Sequence, residues 1–214
     1  MASLNSTHVR ASLRRLAGEK YKLFGGTYHD FRLNPCLNET ELRRFEASHS
    51  ITLPGDYRLF LTEISNGGAG PYYGIFPLGM MDGTDSALQP WKENDGFIGK
   101  LSEPFRLMQS WNDLTLQPPE ELSTINIQEY DRQVEAFDKV YWHPGRMNGA
   151  IPICHLGCAL RIWLIVTGEQ AGYLWRDGRA EYTGISPVLL YDHSQATFSS
   201  WYEEWLAHPL PAPF

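Results

Sequence analysis

The feature that most constrains the fold lies near the C-terminus, where Phe198, Trp201, Tyr202, Trp205 and Leu206 recur at i, i+3, i+4, i+7 and i+8. That spacing lines five bulky apolar side chains along one stripe of a helix, and Pro209 stops it. A helix so patterned must bury its stripe against a comparably apolar face. The sequence offers one upstream. Leu160 to Thr167 is a near-continuous apolar run that predicts a strand buried on both faces, and Ile151 to Ile153 predicts a neighbour. Gly168 to Gly172 turns the chain into Tyr173-Leu174-Trp175-Arg176. Asp177-Gly178 then has the form of a two-residue hairpin loop, with Arg179 to Tyr182 as the return strand. Sequential hairpins imply an antiparallel sheet.

The first half reads as helices. Val9, Leu13 and Leu16 fall at helical spacing with Arg10, Arg14 and Arg15 largely off the stripe, predicting an amphipathic helix near residues 6 to 17 that packs as a lid. Asn38-Glu39-Thr40-Glu41 has the form of a capping box opening a helix that carries Leu42 and Phe45 inward. Leu53-Pro54 opens a third, with Tyr57, Phe60, Leu61 and Ile64 inward and Asn66-Gly67-Gly68 as its stop. Tyr72 to Phe76 reads as a strand. From 79 to 140 the signal weakens to scattered glycines, Pro118-Pro119 and a short helical pattern at Tyr130, Val134 and Phe137.

Helices, then hairpin strands, then a closing helix predict an α+β fold. The expected architecture is a mainly antiparallel sheet of about five or six strands with flanking helices. No Ser/Gly/Pro linker interrupts the chain, so residues 1–214 are expected to form a single domain, with 1–30 as an N-terminal helical extension and 79–140 as a loop-rich insertion.

Charge and composition narrow the function. A net charge of −7 repels polyanions and argues against nucleic acid as a partner. An acidic surface also favours encounter with a basic protein, although solubility alone accounts for it. The 7 Trp, 11 Tyr and 10 Phe exceed what a minimal core requires, which leaves rings for a contact surface. Three cysteines, Cys36, Cys154 and Cys158, cannot all pair and point to a reducing, cytoplasmic setting. The start of the chain carries no signal pattern, and no apolar run is long enough for a bilayer, so no membrane association is expected.

Each chemical motif has a simpler reading beside it. His143, Cys154, His155 and Cys158 contain enough donors for a zinc site. However, on a strand Cys154 and His155 point to opposite faces, so no metal is expected there. The same alternation separates a Cys154–His155 dyad; a distant histidine such as His49 or His193 is the remaining route to a cysteine enzyme. Asp82 to Glu93 imitates the ends of a calcium loop, but Ala87 stands where glycine is needed and Pro90 interrupts it. There is no phosphate-cradling loop and no dinucleotide fingerprint. Glu203 and Glu204 are the solvated face of the last helix.

Taken together, Leu53-Pro54-Gly55-Asp56-Tyr57 through Phe60-Leu61 to Asn66-Gly67-Gly68, then Tyr73 to Leu78, resemble the SUKH superfamily, named for its Smi/Knr-type fungal members. Ile151-Pro152-Ile153, Gly157-Cys158, Trp163 to Gly168, Gly172 and Trp175, followed by the aromatic stripe from Phe198 to Leu206, resemble its bacterial branch. The resemblance implies an α+β domain without catalytic residues or cofactor. Its bacterial members are immunity proteins that bind and inhibit polymorphic toxins such as nucleases and deaminases. Its fungal members regulate cell-wall assembly and signalling through protein contacts, which makes a regulatory scaffold the alternative. A protein partner, expected to be a cognate toxin domain, would then meet exposed loops. The candidate contacts are Tyr72, Tyr73, Asp82, Asp85, Trp91 and Glu93.

Overall fold

In the computed structural model, which describes residues 4–83 and 87–212, helix α1 (Ser6–Ala17) starts where the Asn5 side chain accepts the His8 N–H at 3.0 Å. Its stripe of Val9, Leu13 and Leu16 is buried, and Arg15 donates to the Leu206 carbonyl at 3.0 Å, tying the lid to the C-terminal helix. A single turn, α2 (Gly26–His29), leads to α3 (Glu39–His49). There the capping box forms as the sequence predicts: Asn38 Oδ1 accepts the Glu41 N–H and Glu41 Oε2 the Asn38 N–H, each at 2.9 Å. Helix α4 (Gly55–Leu59) follows Pro54 and widens at Phe60–Ile64 into a π-helical turn, closed by the Ser65 N–H on the Phe60 carbonyl at 2.8 Å. Gly67 and Gly68, both at positive φ, end it, and a Cβ on Gly68 would lie 2.5 Å from the Arg32 carbonyl oxygen.

Tyr72 to Phe76 is not a strand. Tyr72 at φ 53° and Gly74 at φ 96° break the extended run, leaving Ile75 alone to bridge Gly68 on one side and Cys154 on the other. The stretch from 79 to 140 is more ordered than its composition suggests. It holds the hairpin β1 (Met80–Asp82) and β2 (Leu88–Pro90), the short α5 (Leu122–Ile125), and α6 (Ile127–Tyr141), a helix of 15 residues.

The main sheet contains β3 (Ala150–Gly157), β4 (Leu160–Ile165), β5 (Leu174–Asp177) and β6 (Ile185–Pro187), antiparallel and in chain order. The six strands therefore divide into a sheet of four and a hairpin of two. Strand β4 is buried along its whole length, as its apolar run predicts. The Asp177-Gly178 hairpin is a second correction. Gly178 has φ −108°, Arg179–Glu181 coil as a 3₁₀ turn, and the return strand is β6. The Asp177 carboxylate decides this by taking the Arg179 Nε at 2.9 Å and Nη2 at 2.7 Å, while Arg179 Nη1 donates to the Tyr141 carbonyl at 3.1 Å. That fully buried guanidinium turns the chain inward and fastens the end of α6 to the sheet.

Side chains alternate across β4, and each face has its own cover. Ile162 and Leu164 join Tyr57, Phe60, Leu61 and the stripe of α7 (Phe198–Ala207). Trp163 and Ile165 join Trp175 and Ile185 beneath Met81, Ile98 and Phe105, all three from the 79–140 stretch. The margins are also occupied. Phe76 N–H donates to the Ile153 carbonyl at 2.8 Å outside β3, and Trp111 exchanges two 2.8 Å backbone hydrogen bonds with Ile185 outside β6.

Candidate functional site

A cleft of about 520 Å³ opens between the β1–β2 hairpin with its following loop and the turn joining β3 to β4. A smaller cavity of about 190 Å³ adjoins it, and Asp82 and His155 line both. At the junction Arg161, the first charge in an otherwise apolar strand, meets the Asp82 carboxylate in a two-point pair. Its Nε lies 3.0 Å from Oδ1 and its Nη2 2.7 Å from Oδ2, while Nη1 donates to the Ala159 carbonyl at 3.1 Å. Both side chains are about 10% exposed, so the pair is fixed and mutually neutralised. The Phe97 ring lies 5.6 Å from the guanidinium carbon.

Aromatic rings continue from there. His155, whose Nε2 lies 3.9 Å from Asp82 Oδ2, stacks on Tyr73 with centroids 5.3 Å apart. Tyr73 in turn packs edge-on with Phe24 at 5.1 Å and Tyr28 at 5.4 Å, and Tyr28 is 61% exposed. Burial favours the neutral His155 ring and pushes its pKa below the ordinary histidine range, against the opposing pull of the Asp82 carboxylate. Trp91 forms part of the opposite wall, backed by Phe45 and His49 at 6.0 and 5.6 Å.

Of the six residues expected from sequence to contact a partner, the structure brings together Tyr73, Asp82 and Trp91. Tyr72 lines a separate groove with Leu190 and Trp205. Glu93 is held inside the loop, with Oε1 accepting the Leu101 N–H at 3.1 Å and lying 3.0 Å from His49 Nδ1. Asp85 lies outside the described residues. Sequence reasoning missed Tyr28, Phe97 and Arg161. Only Arg161 left a signal, as a cation inside a buried apolar strand that requires a carboxylate partner.

The alternative chemistries can be placed as well. Cys154 is fully buried with Sγ 3.3 Å from the Pro71 carbonyl, and burial holds its thiol far above the usual range. His155 faces the cleft instead. Both ends of the calcium-like loop are engaged, Asp82 by Arg161 and Glu93 by the Leu101 amide. Among the described residues no three His, Cys, Asp or Glu side chains are grouped to hold a metal ion, and no helix is long and apolar enough to cross a membrane.

These features define an α+β domain whose most developed surface is an aromatic-walled cleft over a neutralised ion pair. The chain belongs to the SMI1 / KNR4 family (SUKH-1), whose family model matches residues 36–204. That span runs from the loop before α3 into α7 and includes every residue lining the cleft, whereas Tyr28, His29, Arg32 and Asn34 of the adjoining cavity precede it. Comparison with curated proteins and with solved structures returned no match.

Proposed function

We propose that this protein is a non-catalytic, cytoplasmic binding domain of a bacterium, an immunity protein that inhibits a polymorphic toxin by covering its active site or substrate groove. The observation carrying this reading is the cleft itself: rigid rings on its walls, and at its base a charge pair already satisfied from within. Such a surface offers amphipathic anchors around two charges that engage each other. The buried Cys154 thiol supports the non-catalytic part, because a thiol kept protonated is a poor nucleophile. Family membership supports the partner class, since the bacterial branch that the chain resembles includes toxin-binding immunity proteins.

The test is binding to the toxin domain encoded beside its gene, measured by calorimetry. A tight complex is expected, weakened roughly tenfold or more by Trp91→Ala at the cleft wall or Tyr28→Ala in the adjoining cavity. Absence of a complex, or turnover of a substrate by the purified chain that is lost on Cys154→Ser, would overturn the proposal.

A further inference from the structure

Beyond the cleft, and sharing no residue with it, Arg106, Lys139, Val140, His143, Gly145, Arg146 and Asn148 line an open groove of about 510 Å³. On a chain of net charge −7, this lining contains three permanent cations and no carboxylate. One of the three has a local explanation, since Lys139 stands in the last turn of α6, where positive charge complements the helix dipole. Arg106 and Arg146 come from other segments and have none.

Two acids close to these cations have other partners. Glu103, in the field of Arg106, receives Lys100 Nζ at 2.8 Å and the Asn148 amide at 2.7 Å. Asp113, in the field of Arg146, accepts both the backbone N–H and the hydroxyl of Thr115. Arg146 is also held in place: its guanidinium carbon lies 4.4 Å from the Trp111 ring centre, and it projects from a 3₁₀ turn opened by Pro144. His143 Nδ1 accepts the Gly145 N–H at 3.1 Å, so the proton of the neutral ring sits on Nε2, adding a donor.

We propose that this groove is a docking site for a short acidic segment of a partner protein, its carboxylates received by Arg106, Lys139 and Arg146. Alternate residues of an extended peptide lie roughly 7 Å apart on one face, so a short segment can turn successive carboxylates toward one groove. Val140, 41% exposed, adds an apolar contact for the stems of the glutamates beside these cations. A long polyanion fits less well, because it would run beyond the groove onto a surface that is acidic overall.

The test is fluorescence anisotropy of a labelled peptide alternating glutamate and valine, titrated with the full chain at low salt. Saturable binding is expected, weakened by raised salt and cut roughly tenfold or more by Arg106→Glu with Lys139→Glu. Both positions are exposed and leave the Arg146 stack intact. Arg14→Glu with Arg44→Glu, the same charge change on α1 and α3, should alter affinity by less than about twofold. Lack of binding, equal loss in the control pair, or tighter binding of a short oligothymidylate at the same groove would refute the proposal.

Discussion

Replacing Arg161 by methionine keeps most of the side-chain length but strands the Asp82 carboxylate, about 10% exposed, with His155 Nε2, 3.9 Å away, as its remaining ion-pair neighbour among the described residues. Removing one partner of a buried pair costs about 3–5 kcal/mol, because the desolvated charge that remains loses its compensation. For a chain of this size each kcal/mol lowers Tm by roughly 2–4 °C, so a fall of roughly 6–20 °C is expected. Asp82→Leu should cost a similar amount by stranding the guanidinium. The double variant removes both charges and should return to within roughly 1–2 kcal/mol of the native chain. Urea unfolding followed by tryptophan fluorescence, run on all four proteins at one pH, yields the coupling directly. Single variants that each lose less than about 1 kcal/mol, or a double variant that loses the sum of the two, would refute the claim that a fixed, mutually neutralised pair underlies the cleft.

Phe105→Ala should cost about 3–5 kcal/mol in the same assay, since the ring lies 4.9 Å from that of Trp175 in the second core; a loss below about 0.5 kcal/mol would mean that the 79–140 stretch does not seal that face. Burial pushes His29 down to about 4, and its Nδ1 accepts the Phe31 N–H at 3.1 Å. An unfolded histidine titrates near 6.5, so the unfolded chain takes up the proton first: stability is full above about pH 6.5 and falls by up to about 3 kcal/mol as the pH drops towards 4. His29→Gln should flatten that slope, and an NMR midpoint near 6.5 for this ring would contradict the sign. Native protein treated with iodoacetamide should gain two adducts, at Cys36 and Cys158, and a third only when unfolded; rapid native labelling of Cys154 would show its burial to be wrong.

What could be read from the chain divides by the range of the interaction responsible. The stripe of α7, the apolar run of β4 and the Asn38–Glu41 box are local patterns, and each appears in the structure where the residues place it. At Asp177-Gly178 the hairpin signal competes with the Asp177 carboxylate on Arg179, a local contact whose guanidinium also reaches the Tyr141 carbonyl, 38 residues away. Helix α6 was legible only in part: Phe137 and Tyr141 are buried, but Ile127 and Val140 are exposed, which blurs its stripe. The cleft was least legible of all. Its ion pair joins residues 79 apart, and Tyr28 reaches Tyr73 from a turn that carries no periodic signal. The general rule that loops carry recognition selects Tyr73, Asp82 and Trp91, which line the cleft and its adjoining cavity, and equally Tyr72 and Glu93, which lie elsewhere.

The occupied margins of the main sheet have a consequence for association. With Phe76 on the outer side of β3 and Trp111 on the outer side of β6, much of the ladder that could recruit a foreign strand is already spoken for. Growth by backbone zippering is thereby discouraged, and complexes must be specified by side-chain chemistry. Selectivity can then drift through exchanges at surface rings and charges while the hydrogen-bonded frame beneath stays unaltered.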